Sequence, residues 1–249
     1  MITNTESGTR VDEIAEGIYR ISTPVRIPGG SAGFTFNQYL IADDEPLLFH
    51  TGLRRMFPLV RDAVARVLPV ERVRHLSFSH FEADECGSLN EWLAAAPAAA
   101  PLCGRLLAMT SVNDVADRPA RILRDGETAS LGRHTVRWLD SPHVPHAWEC
   151  GLVFEERTRT LLCSDLFTQG GTEHAPLTEG DILGPSEAMR KSMDYYAHAV
   201  NTRDLLERLA RLEPATIACM HGSAWRGDGA KLLRGLADAL DGDRKAPAG

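Results

Sequence analysis

The chain has 249 residues, 43% hydrophobic and 24% charged, with a formal net charge of −7. This composition suits an ordinary globular protein of one large α/β domain or two small ones. The acidic balance gives no support to a nucleic-acid partner, which would favour a basic stripe, and no apolar run approaches a membrane span. The first seven residues lack a charged n-region and an apolar core, so no signal peptide is expected. Cys86, Cys103, Cys150, Cys163 and Cys219 are odd in number and contain no Cys-x-x-Cys pair. A disulfide framework or cysteine zinc site is therefore not expected, and a reducing cytoplasm fits best.

Residues 10–22 predict a strand pair turning near Glu16-Gly17. Residues 27–33 read as a loop whose glycines fit neither the dinucleotide nor the P-loop spacing. Strands follow at 34–42 and 46–49, and 53–68 is amphipathic at helical spacing, with Phe57, Val60, Val64 and Leu68 on one side. Residues 70–78 predict a strand and 88–95 a short helix; 97–101 is Ala- and Pro-rich and reads as a loop. A helix is expected over 105–113, then strands within 128–140 bending at Gly132, and strands at 152–156 and 160–164. Residues 167–185 read as a long loop, of the kind that usually signals function or mobility. Helices are expected at 186–198 and 201–212 with Ser186 and Asn201 as N-caps, a strand at 214–220, and a last helix at 228–240 before a frayed end. Strands followed by a helix, twice over, fit two sheets packed face to face with helices outside.

The loop Ser79 to Ser88 carries the chemistry, with His80, Glu82, Asp84 and Glu85 at the end of a predicted strand. In an extended turn, residues 80, 82 and 84 project to one side. Three carboxylates this close repel unless a cation joins them; the competing reading is a solvated acidic turn. Later strand ends add His146, Asp165 and His221.

This order of ligands resembles that of the metallo-β-lactamase superfamily. His-x-Glu-x-Asp at 80–84, Asn37-Gln38-Tyr39-Leu40-Ile41, Tyr195-Tyr196 and the run His221 to Arg226 resemble more narrowly the diiron domain of flavodiiron and oxygen-binding diiron proteins. The resemblance covers residues 10–235 and implies a four-layer αββα sandwich. It implies that His80, Glu82 and His146 bind one metal, that Asp84 and His221 bind a second, and that Asp165 bridges the two. Asp165 and Glu82 are placed in the catalytic role. The carboxylates harden the site and favour iron or manganese over zinc. The implied ligand is O₂ or NO, reduced with electrons from a separate flavoprotein or rubredoxin-type donor, or sensed. A dinuclear hydrolase of an ester, lactone or thioester is the alternative, and a degraded fold relic a third reading. A homodimer stays open.

The chain departs from the family at Glu85, where a second histidine is usual; Glu85 either binds the second metal or points away. His50 stands where the fold commonly has an aspartate, as either an outer-shell donor or a buried histidine satisfied by backbone. His143 is a weaker ligand candidate and His174 a surface residue. Phe81 and Trp148, adjacent to ligands, are expected to flank the site with apolar surface, unless they are core aromatics. The chain reads as a single diiron domain over 1–249, without a flavodoxin-like domain.

Overall fold

The computed structural model describes residues 1–26 and 33–245, with side chains to residue 242. The expected loop at 27–32 and the expected frayed end beyond 245 lie outside the described residues. Two seven-stranded sheets form the frame. The first contains β1 (Arg10–Ala15), β2 (Ile18–Arg26), β3 (Gly33–Ile41), β4 (Leu47–Phe49), β5 (His75–Ser77), β6 (Ala100–Gly104) and β7 (Arg121–Leu123), side by side in chain order. Its opening strands pair antiparallel as far as β4, and the rest run parallel. The second contains β8 (Thr128–Ser130), β9 (Thr135–Asp140), β10 (Gly151–Glu155), β11 (Thr160–Ser164), β12 (Leu177–Thr178), β13 (Thr216–Cys219) and β14 (Ala224–Arg226), in the spatial order β12-β14-β13-β11-β10-β9-β8.

Side-chain alternation shows why two sheets and two helical layers form. In the second sheet Val136, Trp138, Val153, Leu162 and Ala218 join the core of the first sheet. Their neighbours Leu152, Phe154, Leu161, Cys163, Ile217 and Cys219 point the other way, into a core shared with helices. A strand reverses its side chains at every residue, so a strand apolar on both faces must be covered on both. The helices α1 (Phe57–Val64), α2 (Ala83–Cys86) and α3 (Leu89–Ala95) belong to the first half, and Val60, Val64, Trp92 and Leu93 enter its core. Two short helices, α4 (Arg105–Leu107) and α5 (Asn113–Val115), follow, joined by the π turn Ala108–Val112. The second half is covered by α6 (Leu183–Met193), α7 (Thr202–Ala210) and α8 (Gly229–Lys245), through Leu206, Leu209, Leu233 and Leu236. The cysteines Cys163 and Cys219 are fully buried, as their apolar runs imply. No described helix is long and apolar enough to cross a membrane.

Several elements differ from the sequence reading. The expected loop at 97–101 ends inside β6, because the buried Leu102 and Cys103 complete the sheet and Pro101 lies near the strand's start, where proline is tolerated. Helix α6 starts at Leu183, not Ser186. Asp181 accepts hydrogen bonds from the Leu183 and Gly184 amides at 2.9 and 3.1 Å, and Pro185 falls in the first turn, where its missing N–H costs nothing. Asn201 precedes α7, but its amide donates to the Pro142 carbonyl and does not cap the helix. Asp228 caps α8 through the Lys231 amide at 2.9 Å.

Candidate metal centre

Four strand ends meet at one edge of the sandwich. His80 follows β5, His146 lies between β9 and β10, Asp165 follows β11, and His221 follows β13. The two sheets are tied there by main-chain bonds, Gly151 N–H to the Ser79 carbonyl at 2.8 Å and Asn37 N–H to the Met220 carbonyl at 3.0 Å. The loop after β5 is not extended throughout. Glu82 is extended, with φ −138° and ψ 157°, but Ala83–Cys86 closes a helical turn. The Thr51 N–H donates to the Glu85 carbonyl at 2.7 Å and holds that turn against the strand-β4 end. A helical turn rotates successive side chains by ~100° rather than 180°, so Asp84 and the fully buried Glu85 can both serve the site.

The ligand candidates fall into two groups that share Asp165. His80 Nε2 lies 2.9 Å from His146 Nε2, and Glu82 Oε2 lies 3.1 and 3.3 Å from them. Asp165 Oδ2 is 3.7 Å from His80 Nε2 and 3.5 Å from His146 Nε2. Its other oxygen, Oδ1, is 3.5 Å from His221 Nε2, which in turn is 3.4 Å from Asp84 Oδ2. Glu85 Oε2 stands 4.0 Å from His80 Nε2. His80, His146 and Asp165, and separately His80, Glu82 and Glu85, can each offer ligand atoms to one ion.

The electrostatics follow from this crowding. Hydrogen bonds with His146 and His80 hold the Glu82 carboxyl well below the usual carboxylate range. Burial is the largest single influence on the Asp84 carboxyl and raises it, but the contacts with His221 and Glu85 together outweigh burial and the net direction is down. Burial acts against the charged forms of His146 and His221, yet both are raised by the carboxylates they face. Glu85 goes the opposite way, pushed well up by burial and by the charges of Asp165 and Asp84. Neither Glu85 oxygen, nor Asp165 Oδ1, has a hydrogen-bond partner. A buried carboxylate without donors is costly, and a cation between these oxygens would remove that cost.

His221 is placed by the first sheet. Its Nδ1–H donates to the Thr35 carbonyl at 2.9 Å, and the Gly222 N–H to Thr35 Oγ1 at 2.8 Å. Asn37 donates to the carbonyls of Cys219 and Gly222, Tyr39 to that of Cys219, and the buried Arg20 to that of Gly222. Asn37 and Tyr39 stood out in the sequence through their motif. Thr35 and Arg20 carried no signal, because their role depends on a turn nearly two hundred residues away.

Phe81 and Trp148 do not flank the ligands; they are 46% and 54% exposed. Phe81 stands between His80 and Glu82 and is turned out to solvent, and Trp148 comes two residues after His146, past the left-handed Ala147 with φ 60°. The apolar lining comes from Phe34, Phe36, Met193 and Tyr195, around a cavity of about 210 Å³. Phe34 and Phe36 pack edge-on against His221, with ring centroids 5.3 and 5.2 Å away. His143 is exposed and His174 half-buried against the Gly170 carbonyl, and neither joins the cluster. A larger cavity of about 800 Å³ beside Trp225 contains no candidate ligand, and its Asp181 and Asp228 are engaged as helix caps.

The sequence profile described as ODP family beta lactamase matches residues 34–222. The rubredoxin-oxygen oxidoreductase of Megalodesulfovibrio gigas is 27% identical over 206 residues, covering 78% of this chain and 50% of that protein. The nitric oxide reductase of Moorella thermoacetica is 25% identical, covering 94% of this chain and 62% of that protein. The chain thus spans about half to three-fifths of these relatives. Among solved structures, a fragment of putative diflavin flavoprotein A 5 from a Nostoc species superposes with a TM-score of 0.81 at 17% identity, covering 95% of this chain and 96% of the fragment. The Flv1 flavodiiron core from a Synechocystis species gives 0.78 at 19% identity, covering 95% of this chain and 62% of that one.

Proposed function

The chain belongs to the ODP beta lactamase family, and we propose that it carries a dinuclear, iron-binding centre of an oxidoreductase that reduces O₂ or NO. One observation carries the reading. Asp165 presents one oxygen to His80 and His146 and the other to His221, with the donorless Glu85 buried beside it. The residues fit a pair of cations: His80, Glu82 and His146 would hold one, and Asp84 and His221 the other, with Asp165 shared and Glu85, 4.0 Å from His80 Nε2, within reach of the first. Four carboxylates and three imidazoles form a hard donor set, which suits iron or manganese better than zinc.

These residues would hold a metal pair whose chemistry, when bound, is electron supply for reducing a diatomic gas. The chain's own residues shape that event. Phe34 and Phe36 keep water from the His221 side, and the Tyr195 hydroxyl donates to the Asp165 carbonyl at 3.0 Å, steadying the shared carboxylate's backbone. Burial raises the Tyr195 phenol, so it remains protonated. The cavity is smaller than the ~300–1,000 Å³ of sites for larger organic ligands, which supports a small gas over the ester, lactone or thioester of the hydrolase reading. Electrons would come from a separate flavoprotein or rubredoxin-type protein, in keeping with the relatives' names.

The test is to load the chain with Fe²⁺ anaerobically, count bound iron, reduce it, and follow O₂ and NO consumption with an electrode. Iron-dependent loss of either gas supports the reading. Ester or thioester hydrolysis with no gas consumption would replace it by the hydrolase.

A further inference from the structure

His50 lies at the end of strand β4, fully buried, in the left-handed region with φ 64°. Its Nδ1 is 3.0 Å from Met220 Sδ and its Nε2 is 3.2 Å from Ser79 Oγ. Ser79 Oγ is 2.9 Å from His80 Nδ1 and 2.7 Å from Ser164 Oγ. Ser164 also has a left-handed backbone, with φ 53°. Two non-glycine residues held in this region at adjoining strand ends indicate a local structure fixed by its contacts.

The protons in this cluster can be ordered from one end. A thioether sulfur has no proton and only accepts, weakly. The close contact with Met220 Sδ therefore places a proton on His50 Nδ1. Burial keeps the imidazole neutral, with its pKa lowered to about 3, so His50 Nε2 is bare and must accept. Its partner is Ser79, whose hydroxyl proton is thereby committed. Ser79 Oγ has two lone pairs left, which accept from His80 Nδ1–H and from the Ser164 hydroxyl. Ser164 could instead donate to Asp165 Oδ2, but that contact is 3.5 Å against 2.7 Å to Ser79, and the shorter bond wins. With its Nδ1–H committed to Ser79, His80 leaves Nε2 to face Glu82 and His146 in the metal-free site and to give its lone pair to a cation when one is bound.

We propose that His50 is a positioning residue that acts as proton acceptor at the end of the chain His80 Nδ1–H to Ser79 Oγ–H to His50 Nε2, so that a methionine sulfur on the other sheet fixes the tautomer of His80. This rests on the reading of His80 as a metal ligand. The chain does with a neutral ring what an outer-shell carboxylate does elsewhere, orienting the ligand ring through its second nitrogen without adding negative charge to a site that already holds four carboxylates.

Two measurements on the whole chain test it. In metal-free protein labelled with ¹⁵N-histidine, a long-range ¹H–¹⁵N correlation at pH 7.5 should show His50 protonated at Nδ1 and bare at Nε2. A proton on Nε2 would overturn the assignment. Zn²⁺ affinity is then measured by competition with a chromophoric chelator in His50→Gln and His50→Leu. Both variants bear the same left-handed backbone cost, but only glutamine can accept from Ser79 where Nε2 did. His50→Gln should stay within about threefold of wild type while His50→Leu weakens roughly 10–100-fold; equal affinities would overturn the proposal. Should His50→Leu fail to fold, Ser79→Ala makes the same comparison, with the same predicted loss. A wild-type chain that binds no zinc would count against the metal centre itself, while the His50 tautomer is decided without metal.

Discussion

At Asp165 a single carboxylate faces two sets of candidate ligands, so its replacement should be felt by both. Asp165→Asn keeps the volume and removes one anionic oxygen. Metal content by plasma emission should fall from two ions per chain to one or fewer, with an unchanged circular dichroism spectrum; two ions retained would mean that Asp165 does not bridge. His50 gives a pH dependence of known sign. Burial lowers its pKa to about 3, His80 and His221 push it the same way, and Asp84 opposes them. An unfolded histidine titrates near ~6.5, so between these values the unfolded chain takes up a proton that the folded chain refuses. His50's contribution is complete above pH ~6.5 and declines as pH falls, by about 1.4 kcal/mol per unit. Urea unfolding at pH 7.5 and 5.5 should show wild type losing that much more than His50→Gln. Parallel losses would show that His50 charges freely in the fold. Trp148, being exposed, gives the opposite expectation: Trp148→Leu should change stability by less than about 0.5 kcal/mol and leave metal content alone.

At the scale of elements, the convergence of these side chains was legible because histidines and carboxylates at strand ends advertise themselves by type and position. The geometry of Glu85 was not. An extended loop and a helical turn are equally open to the stretch from Glu82 to Cys86, and the choice is made by the Thr51 amide bonding the Glu85 carbonyl. The direction of the His50 hydrogen bonds was hidden for the same reason, since it depends on Met220, 170 residues later. The start of α6 was misread because a hydroxyl after Pro185 resembles a cap, whereas the bond is made by Asp181. The two readings separate by mutation. Asp181→Ala should cost about 1 kcal/mol in urea unfolding, while Ser186→Ala, which removes a buried hydroxyl without a hydrogen-bond partner, should cost little or stabilise. A large loss at Ser186 and none at Asp181 would restore the cap to Ser186. Gly222 is constrained more tightly: φ is +100°, and an added Cβ would lie 2.6 Å from Gln169 Cβ.

At the scale of the molecule, the two sheets and their helices were legible from alternating apolar runs, while the strand order that brings β5 opposite β11 was not, because periodicity carries no pairing information. That arrangement takes His80, Glu82, Asp84 and Glu85 from one sheet's edge and His146, Asp165 and His221 from the other's. A metal pair held there would tie the halves together and stabilise the fold by mass action, by about 2.7 kcal/mol at a hundredfold excess over Kd. The same geometry makes a dinuclear centre directly measurable. X-ray absorption at the iron edge, on the chain loaded with two equivalents of Fe²⁺, should show oxygen and nitrogen neighbours together with iron–iron scattering at about 3.5–4 Å, and that scattering should vanish in Asp165→Asn. One tightly bound iron per chain, with no iron–iron scattering in wild type, would contradict the dinuclear centre.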